Sequence, residues 1–165
     1  MTEESNVQDV EQDVEMSSEE RLAKANEVVR NYALGTAAVG VIPAPGVDLV
    51  GMTAVQLAMI HKLSSIYNVK FTKSLARNAI AALIGGGTPV LAGATVASAI
   101  KAVPFVGAYV AVLTQPALGG AVAYGLGKVF VQHFESGGTF LTFDPNKVRA
   151  YYEEMVSEGP EKAKA

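Results

Sequence analysis

The chain contains no cysteine, which excludes a disulfide framework, a thiolate nucleophile and any zinc site built on cysteine. Charge is scarce as well: 18% of the 165 residues are charged and half are hydrophobic, against roughly 25% charged in a typical soluble domain. That balance points to a membrane or to deep burial. Histidine is limited to His61 and His133, neither in a metal-ligand spacing, so both read as solvent-edge residues at helix ends. Gly85-Gly86-Gly87-Thr88 lacks the lysine that a phosphate loop requires, there is no Gly-x-Ser-x-Gly elbow, and no acids cluster in the apolar body. Bases are scattered without interleaved aromatics, which leaves nucleic-acid binding without support. Neither catalysis nor a metal nor a cofactor is expected. The first residues are acidic instead of basic and apolar, which argues against a secretory signal and for a cytoplasmic N-terminus.

What is present is unevenly distributed. Residues 1–20 hold eight acids and no base, which leaves thirteen bases against eight acids in the remainder. So polar a segment buries too little surface to offset its ordering entropy, and residues 1–16 are expected to be an acidic disordered tail. Its plain role is solvation; its sharper one is a partner-binding arm that shields the basic body. A single helical domain is expected over 17–158, with a second short tail at 159–165.

From Asn78 to Gly127 the only charge is Lys101, and the composition is mostly Ala, Gly and Val. Two charge-free arms flank that lysine, and about 20 apolar residues suffice to cross a bilayer. The pattern predicts a helical hairpin with its tip at Lys101 to Pro104. Basic residues on both flanks (Lys62, Lys70, Lys73 and Arg77 before, Lys128, Lys147 and Arg149 after) place both flanks in the cytoplasm by the positive-inside rule. The hairpin can span, re-enter, or be hidden inside a soluble helical bundle, because Ala, Gly and Thr contribute little transfer energy.

Helical signals cover the rest. Ser17 with Glu20 forms a capping box before a helix from Ser18 into Ala38. Val41 to Gly46, with Pro43 and Pro45, must turn. A second helix is predicted from Val47 to Tyr67 with Asn68 as its stop, and a third from Lys73 to Leu83 or Ile84. Further segments are predicted at Pro89–Lys101, Gly107–Thr114 and Ala117–Phe134. Asp144-Pro145 then starts a last helix that Gly159-Pro160 ends. Thr139 to Phe143 is the one short extended stretch. An apolar-Pro-x-x-Gly pattern occurs at Ile42–Gly46 and again at Val103–Gly107, as two stacked hairpins or chance would produce.

Three groups of residues stand out. Small residues recur every four positions, Gly119, Ala123 and Gly127 in the later arm and Gly93 and Ala97 in the earlier one, as in helices that pack backbone to backbone within or between chains. Asp48 is the only charge between Arg30 and His61; it caps the second helix or makes a polar contact, with Gln56 on the same face. Val148, Tyr151, Tyr152, Met155 and Val156 line one face of the last helix, and Tyr151, Tyr152 and Met155 are the candidates for a partner or membrane-surface contact.

The run Asn31-Tyr32-Ala33-Leu34, the segment Val41 to Leu49, the Gln56-Leu57 pair and above all Gly127-Lys128-Val129-Phe130 through Gly137-Gly138-Thr139 resemble the bacterial family called domain of unknown function 697. The resemblance covers about Val28 to Lys147. It implies membrane association, and a GTPase-like protein as a partner in trans, since in many relatives the domain follows a GTPase-like domain that this sequence lacks. It supplies no catalytic residues.

The expectation is therefore an all-α protein, a bundle of about five to seven helices with a central Ala/Gly-rich hairpin. Its expected role is non-enzymatic: binding membrane lipid at the bacterial cytoplasmic membrane and self-associating as a homo-oligomer through small-residue packing. The alternative is a soluble cytoplasmic adaptor for a GTPase-like partner. A pore is disfavoured because Thr88, Thr95, Thr114 and Gln115 are too few to line one.

Overall fold

Helix α1 (Ser18–Val39) starts at a closed capping box: Ser17 N donates to Glu20 Oε2 at 3.0 Å and Glu20 N donates to Ser17 Oγ at 3.2 Å. The computed structural model describes residues 16–39, 47–85 and 106–162. Four more helices follow α1 among these residues: α2 (Val47–Ile66), α3 (Lys73–Gly85), α4 (Val106–Glu135) and α5 (Pro145–Lys162). No strand occurs among the described residues, and the protein is an all-α bundle. The turn at Val41–Gly46, the hairpin tip, the helix at Pro89–Lys101 and the acidic tail up to residue 15 lie outside the described residues.

Two helices end in the same way. After α2, Asn68 adopts φ 53°, Val69 N donates to Ser64 O at 2.8 Å and Asn68 N to Ser65 O at 3.3 Å. After α4, Gly137 adopts φ 80°, Gly138 N donates to His133 O at 2.9 Å and Gly137 N to Phe134 O at 3.0 Å. Both are Schellman closures, in which a left-handed residue satisfies carbonyls that the helix leaves open. Helix α5 starts on Asp144, whose Oδ1 accepts from Asn146 N at 3.0 Å, with Pro145 as first helical residue.

Three sequence expectations change. The break expected at Gln115-Pro116 is absent: α4 runs unbroken for 30 residues. The stop expected at Gly159-Pro160 is also absent, since α5 continues to Lys162. A proline in the last turn forfeits one helical bond, and Gly159 serves a contact instead, for a Cβ there would lie 2.9 Å from Ala121 Cα. Thr139–Phe143 is a turn and not an extended stretch, with Thr142 N donating to Thr139 O at 3.1 Å and Thr139 N to Thr142 Oγ1 at 2.9 Å.

Helix α4 is the axis of the bundle and touches the other four. Every residue from Gly119 to Gly127 is buried. A helix that is apolar all round needs cover on all sides. For this half of the later arm the cover is protein: α1 on one side and α5 on another. Among the described residues no helix is long and apolar enough to cross a membrane.

Candidate functional site

The small-residue row of α4 is where α1 comes closest. A Cβ on Gly127 would meet both methyls of Val29 at 2.6 Å; one on Gly120 would meet the Ala33 carbonyl oxygen at 3.0 Å; one on Gly119 would meet Met52 Cε at 3.2 Å and Thr36 Cγ2 at 3.5 Å. Ala123, in the same row, is 1% exposed. The opposite side receives α5, where a Cβ on Gly125 would collide with a Val156 methyl and lie 3.2 Å from Tyr152 Cε2. Gly119, Ala123 and Gly127 thus face packing partners of their own chain. Gly93 and Ala97 lie outside the described residues.

The apolar stripe of α5 is equally engaged. Tyr152 and Met155 are 1% and 7% exposed, and Tyr151 is half-buried. Burial pushes the Tyr152 phenol up to about 12, with the Arg149 charge opposing and Glu153 reinforcing. A phenol that ionises less readily folded than unfolded supports the fold fully below pH 10, and that support is lost as the pH rises from 10 through 12. Between those limits this group is expected to remove about 1.4 kcal/mol of stability per pH unit. Denaturation midpoints measured from pH 9 to 12 should fall less steeply in Tyr152→Phe than in the parent chain; parallel curves would remove Tyr152 as the cause.

Several polar side chains act as ties. The Lys128 ammonium is half-buried and donates to Asn26 Oδ1 at 2.8 Å, and burial, helped by the charge of Lys162, pulls it below the usual lysine range. Arg149 Nη2 donates to the Ala82 carbonyl at 3.0 Å, satisfying an open carbonyl in the last turn of α3. Lys128 and Arg149, read from the sequence as basic flanks, are internal links. Tyr67 Oη donates to Glu135 Oε1 at 2.7 Å, and burial, then that carboxylate, pushes its phenol up.

The end of the bundle where α2 and α4 finish is aromatic. Phe130 stacks on Phe143 with centroids 4.9 Å apart, and Phe71, Phe134 and Phe140 complete the cluster. His133 is half-buried, its ring edge-on to Phe143 at 5.1 Å, and Nε2 donates to the Thr139 carbonyl at 2.8 Å. Gly138 lies so close to that imidazole that any side chain would collide with it. His61 is exposed and meets Phe71 edge-on. The sequence reading of His133 as a solvent-edge residue missed this latch; the aromatic spacing Phe130, Phe134, Phe140, Phe143 around it was the available signal.

Asp48 falls in the first turn of α2, where a carboxylate complements the helix dipole; its side chain lies outside the described residues. Gln56 is 2% exposed, and its Nε2 has no hydrogen-bond partner among the described residues. No group of three or more His, Asp and Glu able to hold a metal occurs among the described residues.

The larger of two concave surfaces given by the described residues is apolar. Between the outer faces of α2 and α3 runs a groove of 830 Å³, floored by Ala54, Leu57, Ile80 and Ile84 and carrying Lys73 and Arg77. Its size is that of a small-ligand cleft, roughly 300–1,000 Å³. The sequence reading did not find it, since it depends on how two helices diverge and not on any motif.

Over 136 residues the chain is 37% identical to magnetosome membrane protein 22 of Magnetospirillum gryphiswaldense (strain DSM 6361 / JCM 21280 / NBRC 15271 / MSR-1), a match that covers 82% of this chain and 70% of that protein. No solved structure matches. Residues 6–159 match the family described as domain of unknown function (DUF697), which takes in every described helix but the last turn of α5, and the chain belongs to that family.

Proposed function

We propose that the chain is a non-enzymatic helical protein that works at a membrane. The observation that carries this reading is its 37% identity, across 82% of its length, to a protein named for a magnetosome membrane. A surface mode of attachment fits the described helices, because none is long and apolar enough to span and residues 119–127 of the later arm are enclosed by α1 and α5. Lys62, Lys70, Lys73 and Arg77 are all exposed on α2, α3 and the link between them. Each basic residue near an anionic membrane surface adds about 1 kcal/mol of attraction. Self-association belongs to the same proposal, through surface other than the Gly119 to Gly127 row.

Membrane fractionation tests it. The expressed protein is expected in the membrane pellet and is expected to leave it in high salt. Retention through both salt and carbonate would replace surface attachment by insertion, and recovery solely in the supernatant would remove the membrane reading. Sedimentation of the released protein as a single monomer at all concentrations would remove self-association.

A further inference from the structure

We infer that the groove between α2 and α3 is a binding site for an anionic phospholipid, with the phosphate held by Lys73 and Arg77 and the acyl chain lying along the apolar floor. The inference deepens the membrane reading above and rests on it for its setting. Charge complementarity is the first argument. From Leu49 to Phe134 the sequence contains no Asp or Glu, so no acid lines the groove, and its charge is that of Lys73 and Arg77 on the α3 wall. Lys73 and Arg77 lie one helical turn apart, both exposed and both lining the groove, and neither has an ion-pair partner among the described residues.

Their position on the helix is the second argument. They occupy the first two turns of α3, where the backbone dipole is already positive, and no acid stands in the first turn to offset them. Cations there cost stability in the empty protein and gain it when an anion arrives. The third argument is the floor. Leu57 and Ile80 are 8% and 4% exposed, so they are fixed by the core behind them and offer a rigid apolar bed. Ala54 and Ala81 are exposed and small, which keeps the groove open along its length. Cations at one end and an apolar trough beyond match an anionic head with a chain attached. A free anion would use the first part alone, and a zwitterionic lipid would forgo most of it.

The test uses the full chain and dihexanoyl phosphatidylglycerol kept below its micelle concentration, so that no membrane surface takes part. Binding is read by calorimetry and by amide shifts on α2 and α3. Saturable binding is expected, with dihexanoyl phosphatidylcholine weaker by about tenfold or more and inorganic phosphate weaker still. Lys73→Glu with Arg77→Glu should weaken the anionic lipid by about tenfold or more, whereas Lys24→Glu with Arg30→Glu on α1 should leave it unchanged. Ala81→Trp, at an exposed helical position, should fill the trough and weaken both lipids while the unfolding midpoint stays put. Equal binding of the two lipids, equal effects of the two charge reversals, or indifference to Ala81→Trp would each overturn the assignment. So would a wild-type dimer that Ala81→Trp splits without any lipid binding, since a second copy would then own the groove. If the protein pellets with membranes but takes up no dispersed lipid, the groove assignment falls and the membrane reading stands.

Discussion

Gly127→Ala is expected to lower stability by about 1–3 kcal/mol, although alanine is the better helix former by roughly 1 kcal/mol. The reason is the 2.6 Å separation between the added Cβ and both methyls of Val29, a residue with no exposed surface. A β-branched side chain is stiff about its first torsion, so Val29 cannot swing aside, and α1 must move as a whole. Gly35 on α1 supplies the internal reference: nothing lies within 4 Å of a Cβ there, and Gly35→Ala should raise stability by about 0.5–1 kcal/mol. Urea midpoints of the two variants and the parent, each at two protein concentrations, measure both effects. A midpoint for Gly127→Ala at or above the parent would mean that the α1–α4 approach is looser than described. A deficit that grows on dilution would instead place the row between two copies of the chain.

Phe130→Ala is expected to cost about 3–5 kcal/mol, the range for emptying a large buried aromatic site. Phe130 has no exposed surface, and besides its stack on Phe143 it lies 5.7 Å from Phe134 and 5.8 Å from Phe140 between ring centroids. Two of those rings sit in the link from α4 to α5, so their loss of support has a place as well as a magnitude. Amide exchange at Thr139 to Phe143 should accelerate more than exchange at Gly119 to Gly127 under native conditions. Uniform acceleration would show that the aromatic cluster is not a separate element of the fold, and a loss under 1 kcal/mol would show that the site collapses around the gap.

Much of the architecture is legible in local chemistry. The Ser17–Glu20 box, the Asn68 stop and the Asp144-Pro145 start each depend on a few adjacent residues, and each forms bonds where its spacing predicts them. Misreadings arise where one residue type answers two demands. Gly159 looks like a helix terminator because glycine often is one, yet here its missing side chain admits Ala121. Gln115-Pro116 looks like a break, yet α4 continues through it. The same ambiguity governs the later arm: a helix apolar on every face is equally suited to lipid and to the middle of a bundle, and sequence period does not separate the two. Tyr152 and Met155 show the matching ambiguity for α5, whose single apolar stripe fits a membrane surface as readily as it fits α4. The α2–α3 groove had no sequence signature, since its floor is shared between two helices while its cations lie on α3 alone.

The hold that Arg149 has on Ala82 gives α3 a distant anchor. Of the two guanidinium arms, Nη2 makes the bond and Nη1 is buried with no partner among the described residues, so one bolt fastens the far end of α3 to a helix that begins 60 residues beyond it. One wall of the trough is thereby tied to a residue near the other end of the chain, 67 positions away in sequence.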